Sequence, residues 1–310
     1  MALKKVMNIN VKREYLLLII FYCSSAMANF DWGIPMDEVN WIYKGSRLEC
    51  SLIFENSSYG KFSFLSEEIG KLTFKISLAG NNNRWKYAQV YSTPEPWSID
   101  NKNKPVGQNT SIKNSYFTFH QNIDVLLDKL TKGSWIAFHL SGKEVSERQW
   151  LQLPTVRIQE PLLEFRRCLT QLPKMSYETA QNLTIYFGQG SYAIDGIQKK
   201  ILADFSTYLK ADTSVTQVLI DGYSDNTGSD LSNLNLSRQR ANELAHALQS
   251  YGIAEDKIQV RSHGVRYPIA SNDTPEDQAK NRRVTIRIVR SNEQIVPQQK
   301  TKTIKNTEEA

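Results

Sequence analysis

Apolar and polar residues alternate along the first half of the chain. The alternation is clearest at 48–54, 72–78 and 156–158, where every second residue is apolar. Successive side chains of a strand point to opposite faces, so this period of two predicts strands with one buried face. Polar turn sequences separate the runs at 56–58, 80–83 and 98–107. One short helix is predicted at 122–130, before Gly133, and residues 29–170 are therefore expected to form an N-terminal all-β domain.

From Tyr177 the period of the apolar residues changes. Strands predicted at 183–187, 218–223, 258–260 and 284–288 alternate with helices at 195–209 and 235–251. Gly252 follows the second helix, at the position where glycine commonly ends one. The alternation predicts a C-terminal α/β domain at 171–290, with two helices covering one face of a sheet. The first helix is expected to bury four residues at helical spacing: Ile197, Ile201, Phe205 and Tyr208.

The first 28 residues have the order of a secretory signal peptide. Basic residues precede an apolar run at 16–22, and small residues end in Ala26-Met27-Ala28, which predicts cleavage before Asn29. A membrane anchor is the alternative, but it needs about 20 apolar residues. Lipidation at Cys23 is a second alternative, disfavoured by the bulky residue before it. At the other end, residues 291–310 are polar and aperiodic, which predicts a flexible tail.

Removal of the signal segment changes both the charge and the cysteine count. The segment holds +3 of the formal net charge of +6, so the mature chain is too weakly basic to indicate nucleic acid binding. It keeps Cys50 and Cys168, an even number in a chain exported to an oxidising compartment. A Cys50–Cys168 disulfide is predicted, and two buried free thiols are the alternative.

A polar motif lies between the second strand and the second helix of the α/β part. The motif and its continuation resemble the OmpA-like peptidoglycan-binding family over residues 181–290. The resemblance rests on Asp221-Gly222-Tyr223-Ser224-Asp225-Asn226-Thr227-Gly228, Asn233-Leu234-Asn235-Leu236-Ser237-Arg238-Gln239-Arg240-Ala241, Gly252-Ile253, His263-Gly264, Pro268-Ile269 and Asn281-Arg282-Arg283-Val284. The family usually has His-Thr before the key aspartate, where this chain has Tyr223-Ser224. The resemblance implies a mixed sheet covered by two helices.

This resemblance also implies a set of binding residues. Diaminopimelate in a peptidoglycan stem presents an ammonium and a carboxylate on one carbon. By similarity Asp225 binds the ammonium and Arg240 the carboxylate, for which the planar guanidinium suits two parallel hydrogen bonds. Arg240 is expected in the first turns of its helix, at the margin of the apolar stripe. The pocket lining implied by the family is Asn233, Leu236 and Ser237, bordered by Arg282. A weak surface ion pair between Asp225 and Arg240 is the alternative.

Short motifs in the first half resemble the MotY family of flagellar motor proteins. They are Leu48-Glu49-Cys50-Ser51-Leu52, Tyr59-Gly60, Pro94-Glu95-Pro96-Trp97 and Cys168, placed before a wall-binding domain. This resemblance implies a periplasmic, non-catalytic protein that joins the flagellar basal body and supports the stator proteins. It also implies that the two cysteines pair across the N-terminal domain. A general cell-envelope or cell-shape protein with the same wall-binding domain is the alternative.

Other signals do not indicate catalysis or a cofactor. Residues 188–193, Gly-Gln-Gly-Ser-Tyr-Ala, follow a strand and precede a helix as a dinucleotide-binding loop would, but an exported protein lies away from cytosolic cofactor pools. His120, His139, His246 and His263 lack metal-ligand spacing. A wall-cutting enzyme is a third class, disfavoured because the β domain offers no paired carboxylates or Cys-His arrangement. We expect no catalytic residue, cofactor or metal.

Overall fold

The computed structural model describes residues 32–292 except 81–83, 96, 100–101, 114 and 144–147. The predicted signal segment and the predicted tail from residue 293 onward lie outside the described residues. Within the described part, no helix is long and apolar enough to cross a membrane. The first ten strands are β1 (Trp32–Gly33), β2 (Trp41–Gly45), β3 (Cys50–Asn56), β4 (Gly60–Glu68), β5 (Lys71–Leu78), β6 (Trp85–Thr93), β7 (Lys104–Ser111), β8 (Phe117–Phe119), β9 (Trp135–Gly142) and β10 (Arg148–Leu153).

These strands form two five-stranded sheets that share one core. The sheet orders are β1-β10-β9-β6-β7 and β2-β3-β4-β5-β8. Phe138 of β9 joins them, because its ring stacks at 5.4 Å on Phe62 of β4 and at 5.8 Å on Phe74 of β5. The expected alternation is confirmed where it was clearest, since Leu52 and Phe54 of β3 and Phe74 and Ile76 of β5 are all buried in this core.

Two helices accompany the sheets, one of them expected. Helix α1 (Ile123–Thr131) confirms the prediction at 122–130. The strand predicted at 156–158 is wrong: Arg157 has a left-handed backbone with φ 59°, and Ile158 is the N-cap of an unexpected helix, α2 (Gln159–Leu169). Ile158 is apolar because it is fully buried just before that helix. Its position two residues after Val156 matched the period of a strand, which led to the wrong prediction. The N-terminal part is therefore β-rich with two helices.

Helix α2 is tied to the sheet by the predicted disulfide. Cys168 in its last turn is bonded to Cys50 of β3, with the two Cα atoms 6.0 Å apart, which confirms the pairing. Phe165 of the same helix packs on Phe64 at 6.5 Å between ring centroids. The helix therefore covers the sheet that contains β3 and β4.

The remaining four strands form a separate, mixed sheet. They are β11 (Asn182–Tyr186), β12 (Val215–Gly222), β13 (Ile258–Ser262) and β14 (Arg283–Arg290), in the order β11-β14-β12-β13. The β12–β13 pair is parallel and the other two pairs are antiparallel. Parallel neighbours need a crossover, and helix α5 (Asp230–Ser250) supplies it. The expected mixed sheet with helices is confirmed.

Helices α4 (Gly196–Ala211) and α5 pack on this sheet through a second core. Phe205 and Tyr208 are buried as expected, but Ile197 is 74% exposed and Leu202 takes the buried position in the first turns of α4. Asp195 starts that helix with a capping box to Gln198. The other two helices of this part are α3 (Tyr177–Ala180) and α6 (Pro275–Asn281).

The ends of α5 follow from different signals. The helix begins at Asp230, five residues before the predicted start, with Ser229 as N-cap accepting from the backbone of Ser232. It ends at Ser250, shortly before the expected Gly252, which has φ 86° and donates to the carbonyl of Gln249. The earlier start places the whole polar sequence 230–240 on one helix.

Candidate functional site

The candidate site forms where the C-terminal end of β12 meets helix α5. The two elements approach closely because Gly222 has no side chain: a Cβ there would overlap the carbonyl oxygen of Ser237. Main-chain pairing continues past the strand, with Ser224 N donating to the carbonyl of Gly264 at 2.9 Å. The loop that contains Asp225 is therefore fixed against the helix.

Asp225 is buried in this loop and forms an ion pair with Arg282. Arg282 Nη1 donates to Asp225 Oδ2 at 2.9 Å, and Arg282 Nε donates to the carbonyl of Phe187 at 3.1 Å. The other carboxylate oxygen accepts from the backbone N–H of Thr227 at 3.1 Å. The side chains of Asp225 and Arg282 are only 7% and 13% exposed, so this ion pair is buried. The partner of Asp225 in it is Arg282, whereas the weak surface pair considered from the sequence joined Asp225 to Arg240.

Arg240 is fully buried in the third turn of α5, deeper in the helix than expected. Its guanidinium donates to three main-chain carbonyls: Ser191 at 2.8 Å, Gly188 at 3.0 Å and Tyr223 at 3.2 Å. Burial lowers the pKa of Arg240 to about 10, with the charge of Asp225 raising it and that of Arg282 lowering it further. Arg240 therefore remains protonated at neutral pH and lies in the electrostatic field of the ion pair.

The other residues expected to line the pocket lie on the same helix. Asn233 Nδ2 donates to the carbonyl of Thr227 at 3.0 Å, which ties the helix to the Asp225 loop. Ser237 Oγ donates to the carbonyl of Leu234 and accepts from the N–H of Gly264 at 3.0 Å. Leu236 is half-buried. Asn233 and Ser237 thus shape the site through hydrogen bonds to its main chain.

Two further residues belong to this region. Ser224 is buried, and its hydroxyl has no hydrogen-bond partner among the described residues. Asn281 holds the neighbouring loop by accepting from the N–H groups of Ile269 and Ala270 and donating to the carbonyl of Ala270. The motif quoted from the sequence contains both residues, but only the contacts show what each of them does.

The loop at 188–193 serves the site in a way that a dinucleotide loop would not. Its carbonyl oxygens at Gly188 and Ser191 point to the guanidinium of Arg240. Phosphate binding needs N–H groups directed at the anion. Because carbonyl oxygens of the loop point inward, the loop favours a cation and does not offer the N–H groups that a dinucleotide phosphate needs.

The four histidines occupy separate environments. His120 Nδ1 is 3.2 Å from the hydroxyl of Thr73, and His139 packs on Trp150 at 5.0 Å. His246 is exposed on α5, and His263 Nε2 is 2.7 Å from Asp221 Oδ1. Burial, followed by the charge of Arg148, lowers the pKa of His139. Within the described ranges, no three His, Cys, Asp or Glu side chains group as metal ligands.

Comparisons with known proteins match both parts of the chain. Residues 32–173 match the MotY N-terminal domain, and residues 186–282 match the OmpA family. The sodium-type flagellar protein MotY of Vibrio parahaemolyticus is 28% identical over 79% of this chain and 85% of its own length. Both halves thus resemble families of the cell envelope or motor.

Two further relatives match about a third of the chain. The peptidoglycan-binding protein ArfA of Mycobacterium tuberculosis is 44% identical over 33% of this chain and 31% of its own length. The peptidoglycan-associated lipoprotein of Pasteurella multocida is 30% identical over 33% of this chain and 68% of its own length. The OmpA-family match, at residues 186–282, contains the Asp225–Arg282 pair.

Proposed function

The chain joins a MotY N-terminal domain to an OmpA-family domain, and from this premise we propose that it is a non-catalytic periplasmic protein that anchors the flagellar motor to peptidoglycan. The observation that carries the proposal is the buried cluster of Asp225, Arg282 and Arg240 inside the OmpA-family match. Burying three charges together is costly unless they are compensated. The cluster has both signs of charge, so a ligand that carries an ammonium and a carboxylate can pair with each of them.

Diaminopimelate of the stem peptide is the proposed ligand. Asp225 binds its ammonium, because a carboxylate accepts about four hydrogen bonds and the N–H of Thr227 and Arg282 supply two. Arg240 binds its carboxylate with the N–H bonds that do not point to carbonyls. Since Arg240 is buried beside the 188–191 loop, this loop moves when the carboxylate enters.

The residues around this pair complete the proposed pocket. Asn233, Leu236 and Ser237 line it from the helix, and Arg282 borders it while sharing Asp225 with the ligand. The unpartnered hydroxyl of Ser224 lies one residue before Asp225 and is available to the ligand. A buried hydroxyl without a partner is unfavourable, so a ligand acceptor there adds to binding.

The two domains are proposed to divide the work. Peptidoglycan surrounds the whole cell, so the wall-binding domain at 171–290 cannot select one location. We therefore assign recognition of the flagellar basal body and stator proteins to residues 29–170. This domain exposes Trp97, which is 71% exposed and packs edge-on against Trp135 at 6.2 Å. Aromatic residues of this kind are enriched in protein interfaces.

Sedimentation with purified sacculi tests the binding site. Asp225→Asn keeps the size and one acceptor oxygen of the side chain but removes its charge, so we expect the full mature chain to stop pelleting with peptidoglycan. Asp273→Asn removes an exposed carboxylate from a nearby loop and should pellet normally. Equal pelleting of both variants, each with an unchanged circular dichroism spectrum, would show the site assignment to be wrong.

The alternative function is a general envelope tether that uses the same wall-binding domain. It predicts altered cell shape or envelope integrity, whereas motor anchoring predicts impaired swimming. Deleting the gene and scoring swimming together with cell shape separates the two. Normal swimming in the deletion strain would favour the tether.

A further inference from the structure

A second group of charged and aromatic residues lies on the other face of the C-terminal sheet. Side chains alternate along β12, so Asp221 points away from the face on which Ile220 packs beneath the helices. Around Asp221 is an open cavity of about 250 Å³ that we name the Arg261 cavity. Its lining is Asp221, Tyr223, Arg261, His263, Tyr267 and Arg287.

The carboxylate in this cavity contacts two side chains of the cavity lining. Arg261 Nη2 lies 2.7 Å from Asp221 Oδ2, and His263 Nε2 lies 2.7 Å from Asp221 Oδ1. Asp221 is only 7% exposed, and each of its two carboxylate oxygens contacts one of these side chains. The ion pair between Asp221 and Arg261 therefore holds both side chains in place on the wall of the cavity.

The remaining charge in the cavity is positive. Arg287 is exposed on β14, and no carboxylate of the described residues lies within salt-bridge distance of it. Arg283 is buried beneath the rim, with its guanidinium 3.9 Å from the ring centroid of Tyr223. Two guanidinium groups, those of Arg261 and Arg287, therefore line the cavity beside one carboxylate, and such an excess of positive charge attracts anions.

Aromatic rings form the walls beside these cations. His263 stacks on Tyr223 at 4.9 Å with an interplanar angle of 16°, and its other neighbour Tyr267 meets it edge-on at 5.6 Å. Tyr267 is exposed and leaves its ring open to a bound group. The volume is below that of pockets for drug-sized molecules, so the cavity suits one amino-acid-sized group.

We propose that the Arg261 cavity is a second wall-binding site, which takes the terminal carboxylate of a stem peptide. Arg261 and Arg287 donate to the carboxylate, and Tyr267 packs against the residue that bears it. Identifying the ligand as a stem peptide rests on the proposed wall-binding function. Guanidinium groups favour carboxylates because their forked donors match the two oxygens.

Tyr223 connects this cavity to the first site. Its ring lines the cavity, while its carbonyl oxygen accepts from Arg240 at 3.2 Å on the helix side. Neighbouring stems of one wall polymer can then occupy both sites. Binding of two linked groups increases the overall affinity without requiring either contact to be strong.

Nuclear magnetic resonance of the histidine rings in the full mature chain tests the proposal. The probes are N-acetyl-D-alanine, its uncharged amide and inorganic phosphate, each titrated at constant pH. We expect a saturable shift of the His263 ring signal with N-acetyl-D-alanine and a much smaller one with the amide. In Arg287→Gln the dissociation constant should rise about tenfold, as expected for the loss of a charge-assisted hydrogen bond.

Matched variants separate this proposal from the first site. Arg238→Gln removes an exposed arginine of α5 and should leave the titration unchanged. Asp225→Asn should abolish sedimentation with sacculi yet preserve the His263 shift, so either site can fail alone. An equal response to acid and amide, or no response, would overturn the proposal. Phosphate binding as tight as that of the acid would overturn the carboxylate assignment.

Discussion

Arg240 acts on the site through the main chain that surrounds it. Its three carbonyl partners come from the 188–191 loop and the end of β12, which are distant in sequence from α5. Charged hydrogen bonds of this kind are stronger than neutral ones, and an unpaired buried carbonyl is costly. Arg240 therefore holds the loop in place, in addition to the proposed role of its cation in ligand binding.

Replacement of Arg240 should loosen the loop. Arg240→Ala removes the donor of three part-buried hydrogen bonds to main-chain carbonyls, so we expect a loss of roughly 1–3 kcal/mol in the free energy of unfolding. Hydrogen exchange of the amides at 188–192 should also become faster. Urea unfolding and exchange mass spectrometry of the full mature chain measure the two effects. Arg238→Ala, two residues earlier and exposed, is the control and should change neither. Native exchange rates in Arg240→Ala would contradict this role.

The types of the charged residues were predictable from the sequence, but not their partners. Family resemblance selected Asp225, Arg240 and Arg282, and all three lie in one buried cluster. The direct partner of Asp225 is Arg282, which lies 57 residues away along the chain. Arg282 lies between α6 and β14, and its contact with Asp225 forms because the fold places this junction beside the loop after β12. Local spacing carries no information on that arrangement.

At the scale of elements, prediction succeeded where a helix or strand had one apolar face. The first turns of α5 were missed because Asn233 is buried by hydrogen bonding to the Asp225 loop, whereas Leu231 in the same turns is 71% exposed. Where a helix contributes to a site, polar residues occupy its buried positions, and the regular spacing of apolar residues that identifies a helix in the sequence is lost. Helix α2 was missed for another reason. Its apolar residues have helical spacing in the sequence, but Val156 and Ile158 just before it have the spacing of a strand.

The disulfide should stabilise the contact of α2 with β3. It joins residues separated by 118 positions, and closing a loop of that order contributes roughly 4–5 kcal/mol in a chain-entropy model. Cys50→Ser should lower the free energy of unfolding and the amount of intact protein in the periplasm. The double variant Cys50→Ser/Cys168→Ser should be no less stable than the single one, because the same bond is lost. Free thiols at both positions in non-reduced peptide mapping would rule the bond out.

At the scale of the whole molecule, two hydrophobic cores lie side by side. The first core extends to Leu172 and the second begins at Met175, and the N–H of Ile69 donates to the carbonyl of Pro173 between them. The presence of two domains was predictable, because the apolar period changes along the chain. The division of the first domain into two sheets was not predictable from the sequence. It depends on pairing between strands far apart along the chain, such as that of Trp32 with Leu151.

The proposed division of work predicts where fragments go in the cell. A fluorescently tagged fragment that lacks residues 171–310 should still gather at flagellated sites but should not restore full swimming. Its wall-binding residues are gone, so it cannot transmit the load on the motor to peptidoglycan. If this fragment were diffuse and the isolated second domain gathered at flagella, the roles of the two domains would be reversed.

The most direct test of wall anchoring is the swimming speed of cells whose only copy of the protein carries Asp225→Asn. The account predicts that this full-length variant reaches the flagellar base in normal amount, because its N-terminal domain is unchanged, but supports swimming poorly. Cells with Asp273→Asn should swim as wild type. Wild-type swimming of the Asp225→Asn strain, with the variant unable to pellet with sacculi, would contradict the central claim that peptidoglycan binding through Asp225 anchors the motor.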